Sequence, residues 1–457
     1  MIGVIASGRQ RGVMALQLVL AVGLAATPCW AASADLRLLE AVRRRDEKAF
    51  TALLKQVDVN ASQPDGATAL AWAANLGEDA MATALIAAGA NVNAEDEYGE
   101  TPITLAAANG DTALVERLLA AGASARSARW NGETAVMIAA GAGSAASVKA
   151  LVARGADVNA ADPRRRQTPL MWAAAEGHAE AAAALIAAGA PVSPISKGGF
   201  NALAFAVAKG DAATVKTLLA AGADPNFRLS SGNTMLLMAI GYRHLDVASA
   251  LMASGADIHA VDRDQNSPLH VAARIGDVDL VKKLLAGGIN PNVRTATTAV
   301  AKFTDNRGAR GFVGGALTPL LVAARYNRLN VMRALVEAGA DPTIQADNGT
   351  TLLMAGSGAG FDVVQYAYEL DPHAVVTNRI GQTPMHLALV GDIQRPEPEI
   401  MRVVQFLIDK GAKLDEADSA GQTPLRFAEP QGFDKVADLL VSLIVKSGAT
   451  PKVPPKH

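Results

Sequence analysis

The side chains that most often carry catalysis or bind metal ions are few in this sequence, and they do not form recognisable sets. Its 457 residues include seven His and one Cys, Cys29. His178, His270 and His386 have no second His or carboxylate at the spacing of metal ligands, so we expect them to make structural hydrogen bonds. No G-x-S-x-G turn occurs that would present a nucleophilic serine. The sequence therefore predicts neither catalytic residues nor a metal site, and it does not point to an enzyme.

Two Gly-rich stretches, GAGSAAS at 141–147 and AGSGAG at 355–360, could suggest a loop that cradles a phosphate. Neither one is followed by G-K-S or G-K-T, and neither follows a strand pattern, so we expect no bound nucleotide or other cofactor. The formal net charge is only -2. Because no overall basic field exists, nucleic acid is not an expected partner.

A short motif recurs along most of the chain at a nearly constant interval. Most copies lie 33 or 34 residues apart, and eight of them have a Gly 21 residues later. A T-x-(L/I/V/M) anchor or a close variant begins at residues 68, 101, 134, 168, 201, 234, 267, 318, 351, 383 and 423. A fixed period of this length is the signature of a repeat architecture.

Each repeat predicts two short helices joined by turns. A Thr hydroxyl can cap the start of the first helix, and Pro suits its first turn. Residues 168–177 then form a helix that ends at Gly177, and residues 111–122 form a second helix with one apolar face that ends at Gly122. Because one such pair cannot bury its own apolar face, the repeats must stack. We therefore predict an all-α repeat solenoid.

The repeats resemble those of the ankyrin repeat family. The resemblance is clearest in TPLMWAAAEGHAEAAAALIAAGA (168–190) and SPLHVAARIGDVDLVKKLLAGG (267–288), and it covers roughly residues 35–445. It implies a curved array of helix-turn-helix repeats with β-hairpin or turn fingers beside the first helices. It also implies that the chain binds a protein or peptide partner through its concave face and its fingers, without catalysis of its own. We expect a monomer.

The start of the chain is typical of an export signal. Arg9 and Arg11 precede an apolar stretch, 13–26, and an A-x-A cleavage pattern ends at Ala34. The apolar stretch is shorter than the about 20 residues of a membrane span, so we expect no span after cleavage. An uncleaved anchor and a lipid-modified Cys29 are the alternatives. We expect a periplasmic or secreted bacterial protein.

The remaining boundaries follow from the repeats. A signal peptide (1–34) precedes a capping repeat (35–64), eleven repeats (65–445) and a disordered tail (446–457). The interval before Thr318 holds 18 extra residues, which predicts a finger insertion near 291–316. The interval before Thr423 holds 7, which predicts an exposed loop near 391–399. One repeat has Pro372 in place of its Gly, so we expect its second helix to end differently.

Candidate binding residues lie at finger tips, at the ends of first helices and in the long insertion. They are Tyr98, Trp130, Arg164, Arg165, Arg166, Phe200, Tyr242, Phe303, Arg307, Arg310, Phe312, Arg325 and Tyr326. Trp72 and Trp172 instead occupy a slot that is apolar in the other repeats, which favours core packing. The insertion either contributes to binding or is a passive loop. A secreted effector, or an enzyme accessory subunit with a site near the insertion, is the alternative function.

Overall fold

The computed structural model describes residues 35–297, 314–390, 395–428 and 433–446. The predicted signal peptide and most of the predicted tail lie outside these residues. The described residues form helices and contain no β-strand, as an all-α repeat solenoid requires. They fall into two compact units that meet in sequence between Ala223 and Asp224.

The first unit contains six pairs of helices. Their bounds are α1 Arg37–Arg43, α2 Glu47–Leu53, α3 Ala69–Leu76, α4 Asp79–Ala87, α5 Pro102–Ala108, α6 Thr112–Ala120, α7 Ala135–Gly141, α8 Ala145–Ala153, α9 Pro169–Glu176, α10 Ala179–Ala187, α11 Ala202–Lys209 and α12 Ala212–Ala220. The first helices pack in the order α1, α3, α5, α7, α9 and α11, and the second helices pack in a parallel row from α4 to α12. The core lies between these two rows.

The second unit repeats this arrangement with six further pairs. Their bounds are α13 Met235–Gly241, α14 Leu245–Ala253, α15 Pro268–Ile275, α16 Val278–Ala286, α17 Pro319–Arg325, α18 Leu329–Glu337, α19 Leu352–Ser357, α20 Phe361–Leu370, α21 Pro384–Ala388, α22 Glu397–Asp409, α23 Pro424–Ala428 and α24 Asp434–Lys446. The first helices form one row from α13 to α23, and the second helices form another from α16 to α24.

The anchor residues begin the first helices, as the sequence predicts. The Thr168 hydroxyl accepts the backbone N–H of Met171 at 3.4 Å, and the carboxamide oxygen of Asn201 accepts that of Ala204 at 2.8 Å. The anchor side chain makes the same cap in α3, α5, α7, α9, α11, α13, α15, α17, α19 and α21. Each cap satisfies a backbone donor that the helix cannot pair internally.

The Gly that ends each second helix has the conformation that its position requires. Gly122 has φ +92° and Gly155 has φ +87°, in the left-handed region. A Cβ added at either residue would meet no atom within 4 Å. The requirement for Gly here is therefore conformational and is not a matter of space.

The fingers are the turns between one repeat's second helix and the next repeat's first helix. Within a finger, the N–H of Asp96 donates to the carbonyl of Glu100 at 3.1 Å. Isolated β-bridges join Ser62 to Thr68, Ala128 to Thr134 and Arg228 to Thr234. In the described fingers the predicted hairpins are thus reduced to turns, three of which contain a single bridge.

A series of backbone hydrogen bonds, here called the finger ladder, joins seven pairs of successive fingers in the described residues. In each of these bonds the donor is the backbone N–H four residues before an anchor, or at the matching position of a longer finger. The acceptor is the carbonyl three residues before the preceding anchor. In the first unit the donor–acceptor pairs are Glu97–Asp65 at 2.7 Å, Trp130–Tyr98 at 3.0 Å and Lys197–Arg165 at 2.8 Å. In the second unit they are Ala296–Asp264 at 2.9 Å, Asp347–Gly315 at 3.1 Å, Arg379–Asn348 at 2.8 Å and Ser419–Ile380 at 2.9 Å.

The finger ladder locates the long insertion. Ala296 donates to the preceding finger, Gly315 accepts from the following finger, and the N–H of Thr295 donates to the carbonyl of Leu317 at 3.0 Å. These are the contacts of an ordinary finger. The 18 extra residues are therefore 297–314, inserted at the finger tip, and the sequence placed them more broadly at 291–316.

Two repeats near the C-terminus depart from the pattern. The repeat with Pro372 ends α20 at Asp371 in an extended conformation, with φ -143°, and no left-handed Gly follows it. In the next repeat α22 begins at Glu397 and has 13 residues, against nine in α18. The predicted loop at 391–399 is therefore too long: Pro396 caps a helix whose first turn contains Glu397 and Glu399.

Candidate partner-binding surface

Large apolar side chains that remain exposed lie mainly in two parts of the repeats, the fingers and the ends of first helices. In the described part of the chain, seven of eight lie in fingers or at the ends of first helices. The fingers hold Tyr98, Trp130, Ile195, Val376 and Ile380, the first helices end with Tyr242 and Tyr326, and Val445 lies in the last helix. Exposed apolar groups often mark interaction sites, and five of these eight described residues lie in fingers, which favours the fingers.

Tyr98 and Trp130 occupy neighbouring fingers in the first unit. Trp130 is 71% exposed and Tyr98 is 37% exposed. The ladder bond between their backbones fixes one finger against the other. A hydrogen bond to the Glu97 carboxylate raises the pKa of the Tyr98 phenol.

Arg129 holds the base of the Trp130 finger. Its guanidinium hydrogen-bonds to the Glu133 carboxylate at 3.0 Å. Its Nε also lies 2.7 Å from a carboxylate oxygen of Glu100 in the preceding finger, as an ion pair without hydrogen-bond alignment. Arg129 is therefore occupied within the structure, while the Trp130 side chain remains exposed.

The next finger carries three consecutive exposed arginines, Arg164, Arg165 and Arg166. The buried Asp162 organises this turn, because its carboxylate accepts the backbone N–H of Arg165 at 2.6 Å and that of Gln167 at 2.8 Å. Arg166 adopts φ +54°, a left-handed conformation.

The finger ladder is interrupted between these two fingers. Pro163 stands at the position where seven other fingers donate an N–H, and it has none to donate. Pro163 instead packs on Gly132, where an added Cβ would lie 2.3 Å from the proline Cδ. The ladder resumes where the N–H of Lys197 donates to the carbonyl of Arg165.

Phe200 is only half-exposed. Its ring packs on that of Phe205 in α11, with centroids 5.3 Å apart. The neighbouring Lys197 is exposed on the same finger. Sequence reasoning missed Lys197, although its position corresponds to that of Trp130. We refer to the exposed side chains of Tyr98, Trp130, Arg164, Arg165, Arg166 and Lys197 as the finger surface.

The second unit presents its candidates differently. Tyr242 caps the end of α13 and lies edge-on to His244, with ring centroids 5.9 Å apart. Tyr326 caps the end of α17, and the Arg325 guanidinium lies 5.8 Å from its ring centroid. These residues lie at first-helix ends, as the sequence indicates. Ile380 was missed by sequence reasoning, although it occupies the same finger position as Tyr98.

Four candidates from the long insertion lie outside the described residues: Phe303, Arg307, Arg310 and Phe312. Their part in binding stays a prediction.

Trp72 and Trp172 pack within the first unit, but at the margin of its core. Both are half-buried, whereas the matching Ile138 is buried. Trp172 covers Gly141 of the preceding repeat so closely that a Cβ there would lie 2.9 Å from the ring. Trp72 donates from Nε1 to Gln63 at 3.2 Å, beneath the Arg43 guanidinium. The sequence suggested deeper burial because the slot is apolar in other repeats.

The buried histidines are structural. His270 Nδ1 accepts the N–H of Ser267 at 3.2 Å, and Nε2 lies 2.9 Å from the carbonyl of Leu317. This pairing requires the neutral ring with its proton on Nε2. Burial lowers the pKa of His270 to about 4, although the Leu317 carbonyl partly opposes this shift. His386 makes the equivalent bonds to Thr383 and Gln422, and burial lowers its pKa also.

Over the described ranges, no group of three or more His, Cys, Asp or Glu side chains is placed to hold a metal ion. None of the helices there is long and apolar enough to cross a membrane.

Comparison with known proteins agrees with this architecture. A family model for ankyrin repeats in three copies matches residues 38–128, 103–196 and 203–295, and a single-repeat model matches 317–347. The ankyrin repeat protein YahD of Escherichia coli K12 is 29% identical over 134 residues, which are 28% of this chain and 63% of that protein. Alpha-latroinsectotoxin-Lt1a of Latrodectus tredecimguttatus is 30% identical over 132 residues, which are 29% of this chain and 9% of the toxin.

Both alignments therefore span less than two thirds of the relative. The three-copy family matches, in contrast, cover more than half of this chain. Ankyrin repeats generally mediate protein–protein interactions, and proteins built from them are typically scaffolds without catalytic activity. The chain belongs to the ankyrin repeat family.

Proposed function

We propose that this chain is an exported scaffold that binds a protein or peptide partner through its fingers and the ends of its first helices. The observation that carries the proposal is the placement of exposed large apolar side chains: of the eight among the described residues, seven lie on these segments. The hydration of an exposed Trp ring is unfavourable, and such a ring contributes nothing to the core. A function in recognition accounts for it.

The surroundings of Trp130 support this function. Its backbone is fixed by the ladder bond to Tyr98, and its finger is fixed by Arg129. Aromatic anchors on a rigid frame lose little conformational freedom when they bind, which is why Trp and Tyr often dominate binding energies.

Affinity capture from envelope and culture-medium fractions tests the proposal. We expect wild-type protein to retain a specific protein that the double variant Tyr98→Ser/Trp130→Ser loses by at least about tenfold, because aromatic anchors each contribute on the order of 1–2 kcal/mol or more. The control variant Lys149→Ser/Lys216→Ser changes two exposed residues of α8 and α12 and is expected to bind as wild type. Equal retention by both variants would refute the proposal.

Export rests on residues 1–34 and is tested separately. Fusing residues 1–40 to alkaline phosphatase, which matures only outside the cytoplasm, is expected to give an active enzyme. Replacing Arg9 and Arg11 by Glu is expected to abolish that activity. An active phosphatase with both arginines replaced would contradict export by this segment. The cell fraction that contains the intact chain then separates a periplasmic scaffold from a secreted effector.

A further inference from the structure

The part of the finger surface beside Trp130 brings four exposed cations together on two adjacent fingers. Arg164, Arg165, Arg166 and Lys197 are all exposed, and in the described structure none of them forms an ion pair. Several other arginines of the first unit do form ion pairs, such as Arg45 with Glu78 at 2.9 Å. Exposed cations without an ion pair also occur on second helices, as at Lys149 and Lys216, so the feature of these two fingers is that four such cations lie close in the repeat.

Neither acid in the finger that carries Arg164, Arg165 and Arg166 neutralises them, and Asp157 accepts the backbone N–H of Asn159 at 2.8 Å. Asp162 is 4% exposed, and its two oxygens accept backbone N–H groups of Arg165 and Gln167. The carboxylate thus fixes the turn and leaves the three guanidinium groups facing solvent. Arg165 is held from both sides, because its carbonyl also accepts the N–H of Lys197.

We propose that Arg164, Arg165, Arg166 and Lys197 bind an acidic segment of a protein partner, with an apolar residue of that segment packed on Trp130. This inference rests on the proposed function and specifies the chemistry of its partner. The planar guanidinium group suits carboxylates because it can donate two parallel N–H bonds to one carboxylate. A fixed backbone lowers the entropy lost on binding.

The charge of the preceding fingers favours a short acidic segment over a long polyanion. Glu95 and Glu97 are exposed in the finger that precedes Trp130, and the whole chain carries a net charge of -2. A nucleic acid or an anionic membrane lying along successive fingers would meet these carboxylates. A peptide segment that spans only the finger of Trp130 and the next two fingers, which carry the three arginines and Lys197, would avoid these carboxylates.

Selection of random dodecapeptides displayed on phage, with the full chain as bait, tests the inference. We expect the retained peptides to be enriched in Asp and Glu next to an aromatic or aliphatic residue. The best peptide is then synthesised, and its affinity is measured by fluorescence anisotropy at low and at high NaCl. Affinity is expected to fall as NaCl rises, because exposed ion pairs are screened.

Two charge-matched variants show whether the position of the cations matters. Arg164→Gln/Arg165→Gln/Arg166→Asn removes three cations, and Asn tolerates the left-handed backbone at position 166. We expect this variant to lower the affinity for the peptide by at least about tenfold, because several exposed ion pairs are lost together. Lys48→Gln/Lys149→Gln/Lys216→Gln removes three exposed cations from second helices and is expected to bind within about twofold of wild type. Unchanged urea midpoints establish that both variants remain folded.

Each other outcome overturns a distinct statement. Two results would overturn the proposal of an acidic segment: retained peptides that are neutral or basic, or equal losses of peptide affinity in both triple variants. This proposal is also overturned if Trp130→Ser abolishes binding and the arginine variant leaves binding intact. In that case the proposed function stands. If single-stranded DNA or phosphatidylglycerol vesicles bind more tightly than the peptide, and this binding depends on the arginines, that ligand replaces the acidic segment in the proposal. Retention that neither Trp130→Ser nor the arginine variant reduces overturns the proposed function itself.

Discussion

The backbone N–H of Trp130 donates to the carbonyl oxygen of Tyr98 at 3.0 Å, so the two exposed aromatic residues are joined by one hydrogen bond between neighbouring fingers. Their side chains remain available because the backbone alone makes this contact. The bond places an exposed pair of aromatic rings on a fixed frame. Recognition at the fingers, and the stability of the fingers themselves, can therefore be tested separately.

Trp130 and Trp172 are expected to differ in their contribution to stability. Trp130→Ala removes an exposed ring and should change the free energy of unfolding by less than about 0.5 kcal/mol. Trp172→Ala uncovers Gly141 and should cost about 1–3 kcal/mol, less than a fully buried Trp because its ring is half-exposed. Urea unfolding followed by circular dichroism measures both values. A larger loss for Trp130→Ala would contradict the assignment of the two rings.

Gly132 is expected to be less replaceable than Gly155. Both have positive φ, +82° and +87°, so Ala at either position carries a left-handed penalty of about 1 kcal/mol. Gly132→Ala adds a clash, because its Cβ would lie 2.3 Å from Cδ of Pro163, whereas Gly155→Ala meets nothing within 4 Å. Urea midpoints should fall further for Gly132→Ala. Equal midpoints would indicate that the contact between these fingers relaxes freely.

Removing residues 297–314 should leave the repeats intact. The deletion joins Ala296 to Gly315 and keeps the bonds to Asp264 and Asp347, so the finger regains ordinary length. Because shorter loops lose less entropy on closure, by about 0.6 kcal/mol per halving, the urea midpoint should be unchanged or higher. The longer deletion 295–316 also removes the ladder residues and should lower the midpoint. A lower midpoint for the short deletion would contradict the placement of the insertion.

The same short deletion tests the predicted role of the insertion in binding. Weaker partner capture by this folded variant would support the candidates Phe303, Arg307, Arg310 and Phe312. Capture equal to that of wild type would identify the insertion as a passive loop.

Stability should decline in mild acid through His270. Its pKa is about 4 when folded and about 6.5 when unfolded, so between these values the unfolded chain binds a proton that the folded chain does not. The contribution of the neutral ring is complete above pH 6.5 and is lost as pH falls toward 4. At pH 5 the loss is about 2 kcal/mol.

The variant His270→Gln isolates this effect from other titrating groups. It should be less stable than wild type at pH 7.5, because the bonds to Ser267 and Leu317 are disturbed. That difference in unfolding free energy should shrink by about 2 kcal/mol at pH 5. A difference that is independent of pH would show that His270 titrates equally in both states.

The regular part of the fold was predictable because it depends on local rules. A capping Thr, a Pro in the first turn and a left-handed Gly recur at fixed intervals, and each acts on its own helix. The start of α22 was not predictable in this way. Pro396 and Pro398 suggested a loop, yet Pro is compatible with the N-cap and first turn of a helix.

The finger surface was predictable only in part. Exposure of Trp130 followed from its position at a finger tip with no core to fill. The finger ladder and its gap at Pro163 depend on backbone atoms of different repeats, which side-chain patterns do not reveal. The availability of the three consecutive arginines was not predictable either. The sequence shows three cations, but it does not show that the Asp162 carboxylate accepts backbone N–H groups.

Photo-crosslinking from position 130 tests the central claim, that the fingers bind a protein partner, most directly. The benzophenone amino acid p-benzoylphenylalanine replaces Trp130 in one variant and Lys149, an exposed residue of α8, in the other, and cells expressing the full chain are irradiated. We predict a discrete covalent adduct with another protein from position 130 and none from position 149. No adduct from position 130, or equal adducts from both positions, would contradict the assignment of the fingers as the binding surface.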